Sequence, residues 1–207
     1  MITTIGNHRV KKGNIADGLD DLMQGEKAEI FFTDPPWGSG NIKYWNTLNY
    51  RMTGEEEALL SLDQFLNATF SLAIKHTKNK ILIVYGVRWE KNIIAFGKQY
   101  GLRHHGVAET KYHSGSRLLP VHIHVFSKHG LKLPQDYFTH LYGTHGFESM
   151  MRAIKPLAIP NTILLDPACG VGLYGKVAIN CGMFFRGNEM NEKRLEKTIR
   201  RLQNDTS

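Results

Sequence analysis

Two short stretches of this 207-residue chain combine residue types that could do chemistry together. The first is Asp34-Pro35-Pro36-Trp37, which closes the apolar run 28–33. Proline has no N–H for a strand ladder, so a strand stops there, and the residue before each proline is held extended. The acidic side chain is thereby aimed outward at a strand end, beside an aromatic plane. An exocyclic amino group on a nucleobase is a poor nucleophile, because its lone pair is delocalised into the ring. A carboxylate and a backbone carbonyl that accept its two N–H bonds favour the pyramidal form, which restores nucleophilicity. Trp37 offers a π-face to a base taken out of its stack. A strand stop with a rigid turn would account for the prolines, but not for an acceptor and a ring beside them.

The second stretch, Asp166-Pro167-Ala168-Cys169-Gly170-Val171-Gly172-Leu173-Tyr174-Gly175, follows the apolar run 162–165. Glycines at 170 and 172 let a ligand approach the backbone, and the helix start behind them offers free N–H groups. Glu189 ends the next strand, where a carboxylate can accept from both hydroxyls of a ribose. Gly170, Gly172 and Gly175 also fit the dinucleotide fingerprint, so NAD or FAD is an alternative at this point. That fingerprint usually opens its domain, whereas here most strands lie upstream. Asp166 also sets negative charge where a pyrophosphate would sit. A cationic, sulfonium-bearing cofactor suits the loop better.

These stretches need a scaffold that brings strand ends together. Buried-strand runs at 28–33, 80–85 and 162–165, with a further strand at 183–188, alternate with helical patterns. Ser61 leads into a helix through Ile74 with Leu62, Phe65, Leu66, Thr69, Phe70 and Ala73 on one face. Further helices are predicted over 90–100, 147–154, 172–181 and from Asn191 onward. Strands near 103–111 and 120–127, joined by the turn-like stretch 113–116, add an antiparallel hairpin at one edge. Residues 38–60 read as a loop. The alternation predicts an α/β fold, a largely parallel sheet with helices on both faces, whose ligands bind at the carboxyl ends of strands.

Composition narrows the partners. Lysine and arginine total 26 against 19 acidic residues, a net charge of +7 that suits a polyanion. The two cysteines, Cys169 and Cys181, lack the spacing of a zinc site or a disulfide framework, which predicts a reducing compartment. No apolar run approaches the roughly 18 residues of a membrane span, and the first residues lack a secretory pattern. A cytoplasmic protein without membrane contact is expected.

Together, in this order, the two motifs resemble the beta-class amino-methyltransferases of DNA, S-adenosylmethionine-dependent enzymes whose catalytic motif precedes the cofactor motif. Lys12-Gly13-Asn14-Ile15 with Leu19 and Leu22 is similar to that family's opening stretch, and the run from Leu164 to Leu202 to its closing one. The resemblance covers most of the chain. It implies a single catalytic domain over 1–207 with a Rossmann-like seven-stranded methyltransferase sheet, mostly parallel with an antiparallel edge hairpin, entered at its third strand near 8–13. By position, Asp166, Ala168, Gly170 and Gly172, with Cys169 in the same loop, would line the methionine part of S-adenosylmethionine. Glu189 and Met190 would hold the ribose, and Asn14 with Ile15 the adenine ring. His145 and Phe147 would complete the pocket, and Asp34 to Trp37 would face both cofactor and base. Asp-Pro-Pro-aromatic goes with N6 of adenine in this family, Ser-Pro-Pro with N4 of cytosine. Many relatives carry Asp at the position of Asn14. A target-recognition region usually lies between hairpin and cofactor motif, yet residues 129–161 leave no room for one. The resemblance therefore implies weak or short sequence preference, recognition by 38–60, or help from a second copy or a partner subunit.

Tyr44, Trp45, Tyr50 and Arg51 interleave aromatics with charge after the catalytic loop and are candidates for base and backbone contact. Arg194, Lys197, Arg200 and Arg201 on the final helix suit a solvated face or phosphate contact. His122 and His124 share a strand face without a third metal ligand at typical spacing, and are read as the polar face of an edge strand. DNA is the expected substrate; RNA carrying unpaired adenine, and a cofactor-binding subunit without catalysis, are the alternatives.

Overall fold

The computed structural model describes residues 1–53, 60–114 and 116–205. Part of the expected loop, 54–59, and Gly115 of the expected turn lie outside the described residues.

Eight strands form one sheet, β1 (Ile2–Ile5), β2 (His8–Lys12), β3 (Ala28–Thr33), β4 (Thr77–Gly86), β5 (Arg103–Ser114), β6 (Arg117–Ser127), β7 (Ile163–Asp166) and β8 (Phe184–Glu189), in the order β1-β2-β8-β7-β3-β4-β6-β5. The five strands from β2 to β4 are mutually parallel, and an antiparallel pair closes each side. Seven strands were expected; the eighth is β1. Gly6 at φ 53° supplies the left-handed residue of a two-residue turn, which folds Ile5 back onto His8.

β3 lies at the centre, and all six of its residues are buried. Ile30 and Phe32 point to one face, with Val177, Ala178, Leu195 and Leu202 of α6 (Leu173–Asn180) and α7 (Glu192–Asp205), and Met150 and Ile154 of α5 (Gly146–Ile154). Phe31 points to the other face, onto Leu66, Phe70 and Ala73 of α3 (Leu62–His76) and Ile93 of α4 (Glu90–Gln99). A strand buried on both faces reads as a continuous apolar run, and that is why period-2 alternation is missing from 28–33. The helix α3 starts where Ser61 and Gln64 form a reciprocal capping box. A short helix, α1 (Asp20–Met23), buries Leu22 and Met23 on the same side.

Two expectations are corrected. Within the expected loop 38–60, Ser39–Thr53 is a helix, α2. Ile42, Trp45, Leu48 and Met52 recur at helical spacing, but the glycine and asparagine content around them reads as a loop. The Gly38 carbonyl accepts from Asn41 and Ile42 N–H to start it. His122 and His124 are not on an edge strand: β6 sits between β4 and β5, and His124 is fully buried. His122 Nδ1 pairs with Glu90 at 2.7 Å and His124 Nδ1 with His104 Nε2 at 3.3 Å. No helix among the described residues is long and apolar enough to cross a membrane.

The order in which the chain visits its parallel strands switches between β3 and β7. From β3 the chain crosses to β4 through α3 on one face; from β7, its neighbour, it crosses to β8 through α6 on the opposite face. Helices leaving in opposite directions from adjacent parallel strands open a crevice at the strands' carboxyl ends.

Candidate active site

Both sequence motifs lie in that crevice. β3 and β7 pair in parallel, Phe31 opposite Leu165, so the turns that follow them emerge side by side. Thr33 Oγ1 donates to Asp166 Oδ1 at 3.0 Å, and the Ala168 N–H reaches the same oxygen at 3.1 Å. Oδ2 of Asp166 is buried with no hydrogen-bond partner among the described residues. Burial pushes this carboxyl up to about 8; the Ala168 and Thr33 bonds oppose the shift, while the charges of Asp34 and Glu189 add to it.

Asp34 is exposed at the end of β3, with protein atoms crowding its carboxyl. The accompanying loss of hydration pushes its carboxyl up to about 7, against the restraining Trp37 hydrogen bond. That bond runs from Trp37 Nε1–H to Asp34 Oδ1 at 2.9 Å. The indole also packs edge-to-face on Tyr112 of β5, centroids 4.7 Å apart at 84°. A Cβ on Gly86, at the end of β4, would come within 3.1 Å of the Trp37 ring, so a residue without a side chain gives the indole its seat.

Three loops form the opposite wall. Glu189, at the end of β8, accepts the Gly170 N–H on Oε2 and the Asn191 N–H on Oε1, both at 2.8 Å. The Cys169 N–H donates to the Asn188 carbonyl at 2.8 Å, and Asn188 Nδ2 donates to the carbonyls of Gly13 and Pro167 at 3.0 and 3.1 Å. The loops after β2, β7 and β8 are thus stitched together. Gly172, at φ 79°, touches α7: an added Cβ would meet Thr198 within 3.0 Å. Gly170, at φ 55°, has nothing within 4 Å of that position, so the backbone there is open to a ligand.

The remaining candidate residues divide. Asn14, Ala168 and Met190 are half-buried around these loops, although Asn14 Oδ1 already accepts from the Ala16 N–H at 3.0 Å as a helix cap. Ile15 is 6% exposed and packs in the core on the α3 side. The Cys169 thiol is buried, and burial, with Asp166 and Glu189, holds it protonated, so this residue faces the crevice with its backbone. His145 packs against His113 of β5, ring centroids 4.9 Å apart, and Phe147 lies under the Lys176 ammonium at 5.5 Å. Those two are held by the β5 edge and α6. On α2, Tyr44, Tyr50 and Arg51 are exposed, and the Arg194 guanidinium of α7 lies 4.4 Å from the centre of the Trp45 ring. Residues that sequence reading missed are Thr33, Tyr112, Asn188 and Thr198. Each acts by pairing with a distant partner, which no local pattern announces.

No protein-family model matches the chain, and no curated protein matches it. Solved structures do. M1.HpyAVI in its complex with S-adenosylmethionine superposes with a TM-score of 0.66 at 16% identity, over 93% of this chain and 98% of that one. TTHA0409 of Thermus thermophilus, assigned as a DNA modification methylase and solved with S-adenosyl-L-methionine, gives 0.61 at 17%, over 96% and 94%. The cytosine-N4-specific PvuII DNA methyltransferase gives 0.61 at 12%, over 95% and 86%. The chain shares the Rossmann-like α/β fold of these proteins.

Proposed function

We propose that this chain transfers a methyl group from S-adenosylmethionine to an exocyclic amino group in DNA, and that the target is N6 of adenine. One observation carries the reading: the acidic, double-proline turn and the glycine-bearing turn leave adjacent parallel strands, joined at their base by the Thr33–Asp166 hydrogen bond. DNA as substrate rests also on the fold shared with the PvuII DNA methyltransferase and on the net charge of +7.

The donor set fits the cofactor. The unpartnered Oδ2 of Asp166 suits a cationic ligand, the open space at Gly170 admits one against the backbone, and Glu189 sets a carboxylate beside that same loop. Asp166, Ala168, Gly170 and Gly172 with the Cys169 backbone would hold the methionine part, Glu189 and Met190 the ribose, and Asn14 beside Ile15 the adenine ring. His145 and Phe147 would close the pocket from the α5 side. Once bound, S-adenosylmethionine supplies a methyl group activated on a sulfonium. Asp34 and the carbonyl of the proline turn accept the amino N–H bonds and direct the nitrogen lone pair at that carbon. Methyl transfer to the nitrogen held by Asp34 would leave the carbon–sulfur electron pair on the departing thioether. The methylated nitrogen then gives a proton to Asp34, and from there to solvent. Orientation and matched acceptors provide the rate, without a covalent intermediate.

Adenine is favoured by the motif Asp34-Pro35-Pro36-Trp37, which in the family the chain resembles goes with N6 of adenine; the fold alone does not choose the base, since the PvuII neighbour is cytosine-N4-specific. Transfer of tritiated methyl groups to duplexes containing only A·T or only G·C pairs, to single-stranded DNA and to RNA tests each part. The reading predicts incorporation into A·T DNA. Incorporation confined to G·C DNA overturns the base assignment, incorporation confined to RNA overturns the polymer, and none overturns the activity.

A further inference from the structure

The aromatic residue of the catalytic turn does more than its ring requires. Its indole N–H points back at the acid, Nε1 to Asp34 Oδ1 at 2.9 Å, and the ring is not free to swing away. Tyr112 braces it edge-to-face at 4.7 Å, and the main chain of Gly86 closes the space where a side chain would displace it. The Trp37 backbone is fastened too, its N–H 3.4 Å from Asn41 Oδ1 at the start of α2. A hydrogen bond whose donor is locked on three sides fixes the rotation of the acceptor as well.

We propose that Trp37 is a positioning residue for methyl transfer: its indole N–H holds one carboxylate oxygen of Asp34, so that the other oxygen is presented to the incoming amino group, and Tyr112 holds the indole in that pose. The inference rests on the function proposed above and deepens it. A freely rotating carboxylate offers four lone-pair directions, of which a base amino group at a set distance from the cofactor can use one. With Oδ1 occupied, the number of unproductive orientations falls. The bond also favours the charged carboxylate, which is the form that accepts both the N–H bond and, later, the proton. Phenylalanine at this position would keep a π-face for the base and lose the donor, so ring and N–H are separable by experiment.

The test is Trp37→Phe against wild type, with Trp37→Ala and the Tyr112→Leu and Tyr112→Phe pair alongside. Cofactor affinity is followed by calorimetry and folding by thermal unfolding. With the ring kept and the N–H removed, W37F should lower kcat roughly ten- to hundred-fold, the range for a lost hydrogen bond to a charged group. Its cofactor Kd should stay within about twofold of wild type, since the change leaves the opposite wall untouched. The rising limb of its kcat/KM–pH profile should move to higher pH, because the interaction that opposes the upward shift of the Asp34 carboxyl is gone. A purely structural role for the ring predicts no movement of that limb. Y112L should reproduce part of the loss, and Y112F should recover most of it. If wild type methylates and folded W37F keeps its rate and its pH profile, the positioning role is overturned while the methyltransferase reading stands. If wild type transfers nothing to any nucleic acid, the parent reading falls and takes this one with it. Should W37A unfold, W37F still decides the matter.

Discussion

The crevice has two walls, and they are held in different ways. On the β7–β8 side several bonds from side chain to main chain fasten the loops: Glu189 grips Gly170 and Asn191, Asn188 grips Gly13 and Pro167, and Gly172 is pressed onto Thr198. On the β3–β4 side the pose of Asp34 depends on one side-chain bond to Trp37, and α2 beside it is polar along its length and touches α7 where Arg194 covers Trp45. Several bonds from buried side chains to the backbone of neighbouring loops fix a shape that tolerates little change. A single side-chain bond and a thinly anchored helix suit a wall that must admit a large substrate. We therefore place the cofactor in the rigid wall and the target base against the adaptable one.

Removing the acid breaks the comparison most severely. Asp34→Ala should lower transfer by on the order of a hundred- to a thousandfold or more while cofactor binding, measured by calorimetry, changes little. Equal losses of both would mean that Asp34 belongs to the rigid wall. Next come the two glycines. Gly172→Ala forces a Cβ into Thr198 at a left-handed φ of 79° and should destabilise the fold by roughly 2–3 kcal/mol in urea unfolding. Gly170→Ala, at φ 55° with open space around it, should cost nearer 1 kcal/mol yet weaken the cofactor more than its stability loss explains, because the methyl enters the cradle.

How much of this was legible beforehand follows from the same contrast. The Asp-Pro-Pro-Trp and glycine turns could be found because proline, glycine and acid are each required by local backbone chemistry, and β3, β4 and β7 because burial on both faces writes continuous apolar runs. Helix α2 escaped because its few apolar residues, Ile42, Trp45, Leu48 and Met52, are spread among glycine, asparagine and other polar residues that read as a loop. The strand β1 escaped because four residues before a Gly6 turn carry too little pattern of their own. His122 and His124 looked like a polar edge because strand order is set by tertiary pairing, not by composition. Tyr112 was out of reach for a similar reason: its use depends on a hairpin folding back over Gly86.

Protonation offers a gentler probe of the rigid wall. The Asp166 carboxyl lies at about 8 in the folded protein against an ordinary 3.8. A raised carboxyl contributes its stability in full below the ordinary value and loses it as pH climbs through the folded one. The thermal midpoint of the cofactor-free protein should therefore fall, relative to Asp166→Asn, between about pH 4 and 8 and level off above. His124, pushed down to about 3 chiefly by burial, costs stability on the acid side, so the pairwise difference between wild type and variant is the quantity to read. A cationic ligand favours the ionised form, hence cofactor affinity of wild type should rise over the same window and that of D166N should not. The smallest expected effect is on the adaptable wall: Arg194→Ala, which removes the guanidinium from Trp45, should cost about 0.5–1 kcal/mol of stability and appear mainly in the KM for DNA.

If the two turns meet around one reacting nitrogen, the reaction product carries the mark. A duplex of mixed sequence incubated with wild-type protein and S-adenosylmethionine, then digested to nucleosides and analysed by mass spectrometry, should contain N6-methyldeoxyadenosine, and the D34A reaction should contain none above background. N6-methyldeoxyadenosine at wild-type levels from D34A would contradict the account.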